Sequence, residues 1–334
     1  MPDKIIQRTF SVAPMIDYTD RHCRYLHRLI SRHCLLYTEM ISTGAILHGD
    51  TARHLYLDAI EHPVAIQLGG SDPGDLSRCT ELVASAGFDE INLNCGCPSD
   101  RVISGQFGAI LMKNPALVAD CFQAMQSVTD RPVTIKHRTG VDESESYAFL
   151  CDFIGTIAEA GCKTFIVHAR KAWLKGLSPK QNREIPPLHY ERVYQLKEDF
   201  PHLEIIINGG ITSLAQAREH LNHVDGVMMG REAYHNPYIL SEVDRLFYGD
   251  STPPPTRISI LEQFSGYVAQ QLAQGNRLGH MSRHILGLYA GQPGARKFRR
   301  TISENVHRSD ANEQLLMEAL NELQQSGKLT SSHP

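Results

Sequence analysis

The chain has 334 residues, 42% hydrophobic and 21% charged, with a formal net charge of -4 at pH 7. That composition supplies a sizeable core and excludes a disordered chain, and a chain this long needs no disulfide staples. No run of about 18 apolar residues occurs, and the start MPDKIIQRTF lacks the pattern of a secretory signal, so a cytoplasmic protein with no membrane association is expected.

Short runs rich in β-branched residues recur along the first three quarters: FSVAPMID (10–17), LLYTEMIS (35–42), VAIQLGG (64–70), EINLNCG (90–96), VTIKHRTG (133–140), TFIVHAR (164–170), EIIINGGI (204–211) and GVMMGR (226–231). Between them, segments such as 72–86, 114–129 and 147–160 repeat their apolar residues at helical spacing and begin near Asp, Ser or Asn, often beside Pro. The alternation predicts an α/β protein, an eight-stranded (β/α)8 barrel of TIM type, with a doubly wound open sheet as the alternative. Runs such as FIVH and IIIN suit strands buried on both faces. The stretch GDSTPPPT (249–256) breaks the pattern. Beyond it only helical periodicity remains, so a catalytic barrel over 1–245 and a small helical bundle over 257–330 are expected. The eight cysteines include no C-x-x-C pair, and reduced thiols are expected.

In such a barrel the active site lies at the C-terminal ends of the strands. Gly209 and Gly210 after strand seven, with Gly230 and Arg231 after strand eight, either permit tight turns or let backbone N–H groups and a guanidinium approach an anion. Loops seven and eight are the usual phosphate grip of this fold, which favours a phosphate-bearing ligand. Lys136, ending an apolar run, needs an anionic partner if it points inward, or is a surface lysine if the strand ends earlier. His168 is either a satisfied core histidine or a group at the catalytic end. Gln67 could read the amide edge of a flavin or pyrimidine, with Pro14 and Met15 as an apolar surface beside the ring.

For Cys95 and Cys97 no second Cys/His pair stands at zinc spacing, so no metal is expected. A disulfide between residues two apart would be strained. Gly96 and Pro98 signal a turn, leaving Cys95 buried and Cys97 facing the pocket mouth, where a thiol can act as a general acid. The segment from Arg277 to Arg300 holds six Lys or Arg and no Asp or Glu. It reads either as a solvated helix face or as a phosphate-binding surface, with Tyr289 and Phe298 offering faces that stack on bases.

The motifs SVAPMIDYTDRHCR, VAIQLGGSDP, EINLNCGCPSDRV, TIKHRTGVD, FIVHARKAWLKGLSPKQNREIPPL, IIINGGI, MMGREAY and HILGLYAGQPGARKFRR, in this order, resemble the tRNA-dihydrouridine synthases, most closely the bacterial A-type. The resemblance covers nearly the whole chain, and NCGCPS together with ARKAWLKGLSPK is its most specific pair. It implies a barrel carrying FMN at Pro14, Met15, Ile16, Gln67, Lys136, His168, Asn208, Gly209, Gly210, Gly230 and Arg231, followed by a helical RNA-binding domain. It implies reduction of the uridine C5–C6 double bond in the tRNA D-loop, at positions 20 and 20a, with NADPH reducing the flavin and Cys97 giving the proton to C5. Asn94 would orient the uracil edge, and Lys180, Arg183, Arg296 and Arg299 would contact tRNA. No protein partner is implied.

Two other functions fit parts of the sequence. An FMN-dependent TIM-barrel oxidoreductase acting on a free small molecule would share the phosphate grip, but the basic helical appendage argues against it. A non-catalytic RNA-binding protein would leave Gln67, Lys136, His168 and Cys97 at four strand ends unexplained.

Overall fold

The computed structural model describes residues 6–99, 102 and 104–325. Eight parallel strands form one sheet: β1 (Phe10–Val12), β2 (Leu36–Ser42), β3 (Val64–Gly69), β4 (Glu90–Cys95), β5 (Val133–Arg138), β6 (Thr164–His168), β7 (Glu204–Asn208) and β8 (Gly226–Met229). Their order is β1-β8-β7-β6-β5-β4-β3-β2, and a bridge from Ser11 to Leu35 joins β1 to β2. Backbone bonds from Val12 N to Leu35 O at 2.9 Å and from Leu35 N to Phe10 O at 3.1 Å complete that seam. The closed barrel predicted from the alternation is therefore present, and the open sheet is not.

Strand β1 is much shorter than the run FSVAPMID suggested. Pro14 has no N–H to offer a ladder, and the chain turns at once, with Tyr18 N and Thr19 N both donating to Met15 O at 3.0 Å. The helices begin where the capping residues place them. Asp72 accepts from Asp75 N ahead of α1 (Pro73–Ala86), and Gly87, at φ 98, closes it in the left-handed region. Asn114 caps α2 (Pro115–Gln126), and Ser146 caps α3 (Tyr147–Glu159).

The barrel interior holds an apolar layer of Ala13, Leu35, Tyr37, Ala65, Ile166, Ile206 and Met228. Below it, towards the strands' N-terminal ends, lies a polar plug. Arg8 donates to Glu90 at 2.6 Å and to Glu204 at 2.9 Å, and Thr164 donates to Glu204 at 2.7 Å. Burial acts to lower the Arg8 pKa, but Glu90 and Glu204 outweigh it and hold the guanidinium above its ordinary value.

The chain divides into two compact units, residues 1–19 with 34–230, and residues 20–33 with 231–334. The barrel unit thus ends at Gly230, earlier than the boundary expected near 245. The helical unit also takes the segment directly after β1, including the helix Arg21–Ile30. Side-chain bonds explain the exchange. His22 meets the Tyr267 hydroxyl at 2.7 Å, Tyr25 stacks on Tyr267 with ring centroids 3.8 Å apart, and Asp244 accepts from Ser31 Oγ at 2.5 Å and Arg32 N at 2.7 Å. Further helices of this unit are Arg231–His235, Val243–Tyr248, Arg257–Ala273, Leu278–Ile285, Ala295–Asn305 and Gln314–Gln325. Residues 1–5 and 326–330 of the expected domains lie outside the described residues. All eight cysteines are free.

Candidate active site

The two-residue period of a strand decides which side chains enter the barrel. Ala65, Ile166, Ile206 and Met228 belong to the inner layer, so Gln67, His168, Asn208 and Gly230, each two residues further on, continue that inward face at the C-terminal end. Lys136 joins them, because its ammonium donates to Asn208 Oδ1 at 3.1 Å. Asn208 in turn donates from Nδ2 to Met228 O at 2.8 Å. Its partner is a neutral amide, and burial, followed by the nearby Arg138 charge, lowers the Lys136 pKa to about 7 against the opposing influence of Cys97.

His168 has a buried Nδ1 with no hydrogen-bond partner among the described residues. Burial, then Arg138 and Lys136, hold its pKa well below the ordinary histidine value, so the ring is neutral at pH 7. It lies against Gly209, where an added Cβ would come within 3.4 Å of the imidazole. Gly209 and Gly210 have φ of 115 and 71, which favours glycine, and a Cβ on Gly210 would approach Leu188 to 2.6 Å. Gly230 differs from both. A Cβ there would meet nothing nearer than Ala13 and Met15 at 4.0 Å, so packing among the described residues does not require glycine. Pro14 and Met15 are partly buried beside this wall, whereas Ile16 is 50% exposed.

The two cysteines part company as the turn residues implied. Cys95 ends β4 on its outward face with Ile91 and Leu93, fully buried, and burial pushes its thiol well above the ordinary value. Cys97 lies beyond the strand, half-buried, with Sγ donating to Ser99 Oγ at 3.5 Å. Its loop is held by Asn94, whose Oδ1 accepts from Gly96 N at 3.0 Å and Cys97 N at 2.9 Å.

Arg138 was not singled out from the sequence, although its spacing from Lys136 puts both on one strand face. Its guanidinium donates only to carbonyls in the bonds seen: Gly96 at 3.0 Å, Lys171 at 3.1 Å and Asn182 at 2.9 Å. Burial lowers its pKa to about 10, which still leaves it charged at neutral pH. Arg138 thus keeps its charge at this end of the barrel and ties the β4 loop to the loop after β6. In that second loop Asn182 is buried and braces Trp173 and Leu177, leaving Lys180 and Arg183 exposed at its tip. Asp17, at φ 67 without being glycine, is another feature the sequence did not announce, and its N–H donates to Glu39 at 2.5 Å.

In the helical unit Arg231 heads a short helix, and Arg296 and Arg299 stand exposed on the helix Ala295–Asn305. Their neighbours are partly neutralised, Lys297 by Glu322 at 3.3 Å and Arg300 by Glu304 at 3.7 Å. The expectation that Tyr289 and Phe298 stack on bases is overturned. They are 1% and 0% exposed and pack on each other with centroids 4.8 Å apart, forming core.

The family model described as "Dihydrouridine synthase (Dus)" matches residues 11–324. The chain belongs to the dihydrouridine synthase family. Among curated members, the tRNA-dihydrouridine(20/20a) synthase of Salmonella typhi is 59% identical over 312 residues, spanning 93% of this chain and 94% of the relative. Those named alike in Vibrio vulnificus (strain CMCP6) and Escherichia coli (strain K12) are each 58% identical, over 94% and 93% of this chain and 97% and 90% of their own lengths. A solved structure of morphinone reductase aligns with a TM-score of 0.49 and 14% identity, covering 75% of this chain and 88% of its own. Within this dihydrouridine synthase the family motif NCGCPS spans the end of β4 and the loop that carries Cys97.

Proposed function

We propose that the protein reduces the C5–C6 double bond of uridines 20 and 20a in the tRNA D-loop to 5,6-dihydrouridine, in the cytoplasm, with FMN bound in the barrel mouth and NADPH as reductant. One observation carries this reading: Lys136, Arg138 and His168 gather at the C-terminal end of the barrel with no carboxylate bonded to them among the described residues, and Cys97 lies within electrostatic reach of Lys136 and Arg138. Family membership supports the reaction class.

The residues fit an anionic, ring-bearing cofactor. His168 Nδ1 awaits a partner, the clearance at Gly230 admits close approach, and a Lys136 ammonium near neutrality would be stabilised by an anion, with the Gly209–Gly210 turn added by the resemblance. Gln67, Asn208, Pro14, Met15 and Ile16 would complete the holding set, to which the resemblance adds Arg231. Held by these residues, FMN would supply hydride chemistry at uracil C6. The chain provides the rest. Cys97 gives its thiol proton to C5, and the thiolate left behind stands near two cations that stabilise it. Asn94 spends both Oδ1 lone pairs on backbone N–H groups, so it presents only an N–H to the pocket, which suits a uracil carbonyl.

A stacked base must leave the RNA helix to reach such a mouth. Lys180, Arg183, Arg296 and Arg299 would take the phosphates, and these exposed cations favour tRNA over a free small molecule. No helix among the described residues is long and apolar enough to cross a membrane. Nucleoside mapping of tRNA from cells lacking the protein tests the proposal: dihydrouridine should vanish at positions 20 and 20a and remain elsewhere. Its persistence at both positions would overturn it.

A further inference from the structure

Glu90, Asn92 and Asn94 occupy alternate positions of β4 and all enter the barrel, although strands buried on both faces are usually apolar. Their hydrogen bonds run end to end. Thr134 Oγ1 donates to Glu90 Oε1 at 2.7 Å, and Asn92 Nδ2 donates to Thr134 Oγ1 at 2.8 Å. Gln67 Nε2 donates to Asn92 Oδ1, and Asn94 Nδ2 to Gln67 Oε1, each at 2.8 Å. Asn94 Oδ1 then receives the N–H groups of Gly96 and Cys97.

The polarity of this chain is fixed at both ends. Backbone N–H groups can only donate, and the Glu90 carboxylate, paired with Arg8 at 2.6 Å and receiving the Tyr37 hydroxyl at 2.5 Å, is the acceptor at the other end. Reversing any single amide would set donor against donor and acceptor against acceptor. The side chains of Glu90, Thr134, Asn92, Gln67 and Asn94 are each 8% exposed or less, so burial keeps solvent from repairing such a fault.

We propose that Glu90, Thr134 and Asn92 are positioning residues, a relay that acts through Gln67 and Asn94 to hold the Cys97 loop and to fix which atoms the two amides present to the pocket. The relay rests on the proposed role of Cys97 for its catalytic consequence, but its structural half is measurable without turnover.

The test compares Thr134→Val, which keeps shape and removes the hydroxyl, with Thr134→Ser, which keeps the hydroxyl. In the full-length protein, amide hydrogen exchange at Gly96 and Cys97 should rise about fivefold or more in the Val variant. Single-turnover dihydrouridine formation should fall at least as far with KM for tRNA unchanged, and the Ser variant should restore both. Unchanged exchange in the Val variant, or equal defects in the Val and Ser variants, would overturn the relay. If Thr134→Val does not fold, Asn92→Leu breaks the chain one link higher and is judged by the same exchange measurement. Wild-type protein that makes no dihydrouridine while the exchange result holds would refute the proposed function and leave the relay standing.

Discussion

The two ends of the barrel are both polar and are finished differently. At the N-terminal end Arg8 finds two carboxylates, Glu90 is bonded by Arg8, Tyr37 and Thr134, and Glu204 by Arg8 and Thr164. At the C-terminal end Lys136 and Arg138 bond to amides and carbonyls, and His168 Nδ1 bonds to nothing among the described residues. Paired polar groups in a core hold a structure together; unpaired ones cost stability and await a ligand. The comparison separates residues whose loss should harm folding from those whose loss should harm chemistry.

The largest expected effect is at the unpaired end. Cys97→Ala should slow dihydrouridine formation by at least ~100-fold, a general-acid contribution, while the melting temperature moves little. A variant that melts early would erase the distinction. At the paired end, Arg8→Met strands Glu90 and Glu204 and should cost about 3–5 kcal/mol of stability, read from denaturant midpoints.

A subtler contrast comes from Lys136. Its pKa is about 7 in the folded chain against 10.5 ordinarily, so between those values the folded state holds fewer protons than the unfolded one. Stability of the ligand-free protein should therefore rise as pH climbs through that window, and Lys136→Met should flatten the rise. Identical melting profiles across the window for both proteins would show that the ammonium is not desolvated.

The smallest effect per residue belongs to the exposed surface. Replacing Arg296 and Arg299 together by Ala should weaken tRNA binding several-fold and reduce its salt slope by roughly 2, without changing flavin content. An unaltered salt slope would remove these two arginines from the RNA-binding surface.

Much of the fold was legible because buried parallel strands announce themselves: FIVH and IIIN are apolar on both faces, and the barrel they imply fixes where functional groups gather. Gln67, Lys136 and His168 were legible from that placement, and Asn208 came from the resemblance. The strand period in EINLNC also puts Glu90, Asn92 and Asn94 on one face, but periodicity does not say which partners a polar face will meet across the barrel, so the relay stayed hidden. Tyr289 and Phe298 sit among arginines in sequence, yet Phe298 lies on the buried side of the helix Ala295–Asn305 with Ala295 and Ile302, and Tyr289, in the turn that precedes that helix, packs against it in the core. The move of residues 20–33 to the helical unit rests on contacts such as Ser31 with Asp244, more than 200 positions away, which no local pattern encodes.

The central claim is that a thiol at the unpaired end of the barrel completes uridine reduction in tRNA. Unmodified tRNA transcribed in vitro, incubated with purified full-length protein, FMN and NADPH and then digested for nucleoside mass spectrometry, tests it most directly. Wild-type protein should yield dihydrouridine, and Cys97→Ala should yield almost none while NADPH is still consumed in the first turnover. Equal dihydrouridine from both proteins at equal rates would contradict the account.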